Sequence, residues 1–141
     1  MITLIVGEKG SGKTKAILNR ANDRVHSTNG SLVFIDKDYS KMLNLTHKVR
    51  LINAIEYGIQ NDNDLVCFIK GILATDTDLT DIFIDSVLKI TGKDIDELLE
   101  FFSLLEDLTV KYNVGFTLTI SCAKDTLPKK LIKFIDKEPV A

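Results

Sequence analysis

Apolar residues fall along this chain in two rhythms. Short, mostly apolar runs at 2–6, 32–36, 49–52 and 81–85 read as buried strands, the second ending in Asp36 and the fourth in Asp85. A fifth strand is expected at 115–121, with Thr119 and Ser121 at its tip. Elsewhere the spacing is helical. Ala16, Ile17, Ala21 and Val25 predict a helix from Gly12 to about Val25, closed by the turn residues 27–30. Leu65, Val66, Phe68, Ile69, Ile72 and Leu73 crowd a second, from about Asp64 to Ala74, with Asp62 and Asn63 as its caps. Ile95, Leu98, Leu99, Phe102, Leu105 and Leu108 stripe a third from Asp94 to about Tyr112, opened by the capping-box pair Asp94 and Glu97. A helical turn is expected near 39–45, and 127–135 reads either as a helix begun by Pro128 or as a last strand.

Strands separated mostly by helices predict an α/β fold. Three layers are expected, helices on both faces of a mainly parallel five-stranded sheet, with residues 1–141 as one domain. In such sheets ligands bind beyond the carboxyl ends of the strands. That directs attention to the residues following each apolar run.

The first run is followed by GEKGSGKT, residues Gly7, Glu8, Lys9, Gly10, Ser11, Gly12, Lys13 and Thr14, which fits G-x-x-x-x-G-K-[ST] at every fixed position. Chemistry explains the spacing. A ring of backbone N–H groups can hold phosphate oxygens only if the chain bends with positive φ and approaches without Cβ atoms in the way, hence Gly7, Gly10 and Gly12. The following helix adds its positive end, Lys13 an ammonium for the β- and γ-phosphates, and Thr14 a hydroxyl for Mg²⁺. Glu8, Lys9 and Ser11 fill the variable positions. The run ending in Asp85 has the form of the partner motif, large apolar residues and then an acid that holds the metal, with Asp36 as second choice.

This Walker A sequence resembles the P-loop NTPase superfamily, and the chain is similar to its RecA and AAA+ ATPase branch. Small chains labelled twitching-motility ATPases share the loop, and the likeness ends there. The resemblance implies ATP and Mg²⁺ as ligands and places strand 115–121 between the phosphate-loop strand and the Asp85 strand, with Thr119 or Ser121 near the γ-phosphate. It also implies a residue that orients water, and here Ser86 stands where many members have Glu. Glu56, Asp38 and Asp36 are the substitutes, in that order. With three arginines, Arg20, Arg24 and Arg50, an internal arginine finger is not expected, so turnover should be slow and a homo-oligomer or protein partner is the expected source of one. The leading expectation is a small ATP-binding protein, a weak Mg²⁺-dependent ATPase or nucleotide-controlled module. A small-molecule or nucleotide kinase and a non-hydrolysing interaction protein are the alternatives.

Composition narrows this only a little. The chain has 141 residues, 45% hydrophobic and 27% charged, with formal charge −2, which gives no general attraction to nucleic acid or acidic membranes. No apolar segment has the length of a membrane span and no secretory signal pattern is evident, so a cytoplasmic location is expected. Cys67 and Cys122 lie in apolar runs without metal-site spacing and read as buried free thiols. His26 and His47 read as surface residues. The acids Asp96, Glu97, Glu100, Glu106 and Asp107, and the lysines Lys129, Lys130, Lys133 and Lys137, read as solvated faces.

Overall fold

The computed structural model describes residues 1–136, so Lys137 lies outside the described residues. In chain order the elements are β1 (Ile2–Gly7), α1 (Lys13–Arg24), β2 (Ser31–Asp36), β3 (Val49–Asn53), α2 (Asp62–Thr75), β4 (Leu79–Ile84), α3 (Val87–Thr91), α4 (Leu99–Tyr112) and β5 (Gly115–Ser121). The five strands form one sheet in the order β1-β5-β4-β2-β3, and every pairing is parallel. β5 therefore lies between β1 and β4, where the resemblance puts it.

Strand periodicity sorts the side chains. Leu4, Val6, Val33, Ile35, Ile82, Ile84, Leu118 and Ile120 turn to the face covered by α2, α3 and α4. Their alternates Ile5, Leu32, Phe34 and Phe83 pack with Ile17, Leu18 and Ala21 of α1 on the other face. Helices thus cover both faces, giving three layers. At roughly 1.5–3 kcal/mol for each large apolar side chain removed from water, these two clusters dominate the favourable side of folding. The far end of α1 is tied down by Arg24, whose Nε lies 2.7 Å from Asp81 Oδ2 at the start of β4.

Several local expectations change. The cap of α2 is Asn61, whose side chain accepts the Asp64 N–H at 2.8 Å, rather than Asp62 or Asn63. The capping box of Asp94 and Glu97 is present, but it opens a 3-10 turn, Ile95–Leu98, before α4 begins. With three residues per turn rather than 3.6, that turn shifts the phase of the stripe, so Phe101 is buried and Leu99 is exposed. Cys67 is exposed, not buried, because on α2 it faces away from the stripe of Leu65, Val66, Ile69 and Leu73. The segment after Pro128 is a 3-10 helix, Lys129–Phe134, which ends in one parallel bridge from Ile135 to Leu4. Among the described residues no helix is long and apolar enough to cross a membrane.

Candidate functional site

The carboxyl ends of the strands carry the polar groups that the rest of the sheet excludes. Parity decides which face they share. Asp36 is two residues past Phe34 and Asp85 two past Phe83, while Thr119 pairs in register with Ile5, so all three turn toward α1. The first turn of α1, with Lys13 and Thr14, lies on that face.

Between β1 and α1 the loop turns through Gly10 at φ +84° and Gly12 at φ +90°, a region that side-chain-bearing residues adopt only at a cost. A Cβ on Gly7 would come within 2.4 Å of Ser11 Oγ, so a side chain there would have to push that hydroxyl aside. No side chain caps α1 and no acid occupies its first turn, which leaves the N–H groups and positive end of the helix facing the loop. Ser11 Oγ is buried with no hydrogen-bond partner among the described residues. Lys13 is 7% exposed and its Nζ donates to the Glu8 carbonyl at 2.9 Å. Burial holds its pKa below the ordinary 10.5, with the Asp85 carboxylate acting in the opposite direction.

Asp85 is the hub. It is 1% exposed; its Oδ2 accepts from the Thr14 hydroxyl at 3.1 Å and its Oδ1 from the Thr119 hydroxyl at 2.5 Å. Thr119 Oγ1 in turn accepts the Ser86 N–H at 2.7 Å, and Ser86 holds a left-handed φ of 65°. A non-glycine residue in that conformation costs energy, on the order of 1 kcal/mol, which the surrounding contacts must offset. Asp36, fully buried, accepts the Lys37 N–H at 2.7 Å through Oδ1. Its Oδ2 lies 2.7 Å from Lys41 Nζ, and the same ammonium is 3.4 Å from Asp85 Oδ2. Burial pushes the Asp36 carboxyl above its usual pKa despite Lys41, whereas the two carboxylates outweigh the effect of burial on Lys41 and raise it.

These groups border a cavity of about 410 Å³ lined by Gly10, Gly12, Lys13, Thr14, Asp85, Ser86 and Ser121 together with Lys9, Lys37, Lys41 and Lys89. A cation near Thr14 and Asp85 would find one carboxylate and one hydroxyl. Among the described residues no group of three His, Cys, Asp or Glu side chains could hold a metal by itself. That donor set suits Mg²⁺, which is usually held by one or two carboxylates plus phosphate oxygens and water. The glycine bend, the uncapped helix and the unpartnered Ser11 hydroxyl suit an anion beside it.

The predicted residues are thus partly gathered. Gly10, Gly12, Lys13, Thr14, Asp85 and Ser121 share the cavity with Lys9, while Glu8 contributes its carbonyl to Lys13 and Gly7 and Ser11 shape the loop. Glu56 and Asp38 do not line it. Glu56 is bonded to the Tyr39 hydroxyl, and Asp38 accepts the Ser40 N–H at 2.9 Å, with the Ser40 hydrogen bonds holding its pKa low. Thr119 faces Asp85 rather than the cavity, where Ser121 stands instead. Lys37, Lys41 and Lys89 escaped the sequence reading. The signal for the first two was their place just after the acid-tipped strand β2. No protein-family model matches the chain, and no curated protein matches it.

Proposed function

We propose that this chain is a P-loop ATP-binding protein whose occupancy by Mg·ATP is its functional event, with hydrolysis slow. The supporting observation is the meeting of Thr14 with Asp85 at 3.1 Å, two residues 71 positions apart that the sequence pairs as metal-holding hydroxyl and carboxylate. In this reading the N–H groups of the Gly10 to Thr14 stretch bind the phosphates, and Lys13 exchanges the Glu8 carbonyl for a phosphate oxygen. Thr14 and Asp85 would hold Mg²⁺, which supplies neutralisation of the β- and γ-phosphate oxygens when bound. Thr119 fixes the Asp85 carboxylate by donating to its other oxygen. Ser121, at the cavity wall, offers a hydroxyl to the terminal phosphate.

Two features favour a nucleotide-controlled module over a fast hydrolase. First, neither Glu56 nor Asp38 borders the cavity, and Ser86 stands at the usual place of a water-orienting acid. Second, Lys41 already contacts the oxygen of Asp85 that faces Thr14. An ammonium and a divalent ion repel at that distance, so metal binding favours withdrawal of Lys41 toward Asp36. Lys41 belongs to a short segment anchored by buried Leu45, whose Met42 and Leu43 are exposed, Leu43 at 98%. Occupancy of the cavity is thereby linked to a surface segment. The setting for this activity is the cytosol, where Mg·ATP is plentiful.

Incubation with Mg·ATP, followed by separation of bound from free nucleotide and timed ADP analysis, tests this. One nucleotide retained per chain is expected, with turnover on the order of 10⁻³ s⁻¹ or slower. Failure to retain nucleotide would remove the reading.

A further inference from the structure

The cavity carries more positive charge than its phosphate loop explains. Five lysines line it, Lys9, Lys13, Lys37, Lys41 and Lys89, against the single carboxylate of Asp85. Lys13 belongs to the loop, and Lys41 is engaged by Asp36 and Asp85. Lys37 and Lys89 have no such account. Lys37 is the first residue after β2, and Lys89 stands on α3, which follows directly on the tip of β4. β2 and β4 are neighbours, whereas the loop follows β1, separated from β4 by β5. The two lysines therefore approach the cavity from the side opposite the loop. They also crowd each other: the Lys89 pKa is held down, first by Lys37 and further by Lys9 and Lys41. Like charges brought together at the rim of a cavity are a cost that an anion between them removes.

The chain's arginines are placed elsewhere. Arg20 is bonded to Asp136, Arg24 to Asp81, and Arg50 lies exposed on the edge strand β3. None of them lines the cavity.

Resting on the phosphate-loop reading, we propose that Lys37 and Lys89 form a second anion subsite across the cavity, which takes the terminal phosphoryl group of a nucleoside triphosphate. The N–H groups of the loop grip the part of the polyphosphate that a diphosphate shares, Lys13 reaches from the β- to the γ-phosphate, and the lysine pair, facing the loop from across the cavity, engages only what a triphosphate adds. The protein then discriminates ATP from ADP with its own lysines, each acting as a point charge where a planar guanidinium is absent.

Calorimetric titration of Mg·ATP and of Mg·ADP at one fixed ionic strength, into four proteins, tests the assignment: the wild type, Lys13→Ala, the double variant Lys37→Gln with Lys89→Gln, and the double variant Lys37→Arg with Lys89→Arg. Lys89 is exposed and Lys37 half-buried, so both double variants should melt with the wild type. The Gln variant is expected to lose about tenfold or more in ATP affinity while its ADP affinity stays within about twofold. The Arg variant keeps the preference for ATP. An unchanged ATP affinity in the Gln variant, or equal losses for ATP and ADP, overturns the subsite while leaving the loop reading intact. If the wild type binds neither nucleotide, or Lys13→Ala binds both as well as wild type does, the loop reading itself falls, and the subsite with it.

Discussion

Two neighbouring strands run into almost the same five residues, LVFID closing β2 and DIFID running from β4 to the residue just past it, and the sheet gives the two acids different company. Asp85 receives two hydroxyls, Thr14 from the loop helix and Thr119 from β5, and touches Lys41 at longer range. Asp36 receives Lys41 at close range and the N–H of its own successor. Strand order makes the difference. β4 sits beside β5, next to the loop strand, while β2 is one position further out. Neutral hydroxyl partners leave the Asp85 charge available to a cation, whereas the charge of Asp36 is already matched by an ammonium. In the proposed reading the two acids divide the work, Asp85 free to face a metal and Asp36 holding Lys41.

Substitutions that exchange these roles should show it most strongly. Asp85→Asn is expected to weaken Mg²⁺-dependent ATP binding about a hundredfold, about 2.7 kcal/mol, with Asp36→Asn within about threefold of wild type. Titrations with and without magnesium check this, and the reverse ranking would make Asp36 the metal acid. Next in size, Lys41→Met leaves the buried Asp36 carboxylate without its counter-charge and should cost about 2 kcal/mol in urea unfolding. Adding Asp36→Asn to that variant should recover at least part of the loss, because the unpaired charge is gone.

Thr119→Val keeps the shape but removes the donor to Asp85 and the acceptor for Ser86 N–H. A stability loss of about 1.5 kcal/mol is expected, measured by the same unfolding curves. No loss would mean that the Asp85 carboxylate does not depend on β5.

The smallest effect concerns pH. Burial raises the Asp36 pKa above the ordinary 3.8, so the folded chain binds this proton more tightly than the unfolded chain. The corresponding stability is fully present below about 3.8 and is lost as pH rises through the raised value. Unfolding free energies of wild type and Asp36→Asn across that window should diverge with this sign. Parallel curves would remove burial as the controlling influence on Asp36.

The layers of the fold were legible because runs such as 2–6 and 32–36 and the helical stripe of α2 are long and strongly patterned. The loop was legible because its glycines answer a local backbone demand, met at Gly10 and Gly12. What stayed hidden depends on tertiary placement. α3 has five residues, too few to show a helical period, and with it Lys89 went unseen. Lys41 matters only because β2 and β4 are adjacent, which no local spacing encodes. Glu56 was a reasonable candidate by its position after β3, yet β3 is the edge strand furthest from the loop. The phase slip that buries Phe101 and exposes Leu99 arises from a 3-10 turn, which a pattern assuming 3.6 residues per turn cannot register.

In the proposed function the bend from Gly7 to Thr14 closes around phosphate oxygens. A crystal structure grown with Mg²⁺ and a non-hydrolysable ATP analogue tests it most directly. The analogue's β-phosphate should lie inside the bend, with Lys13 Nζ moved from the Glu8 carbonyl onto a phosphate oxygen and a metal held by Thr14 and Asp85. Lys13 still bonded to Glu8, with the analogue bound elsewhere or nowhere, would contradict it.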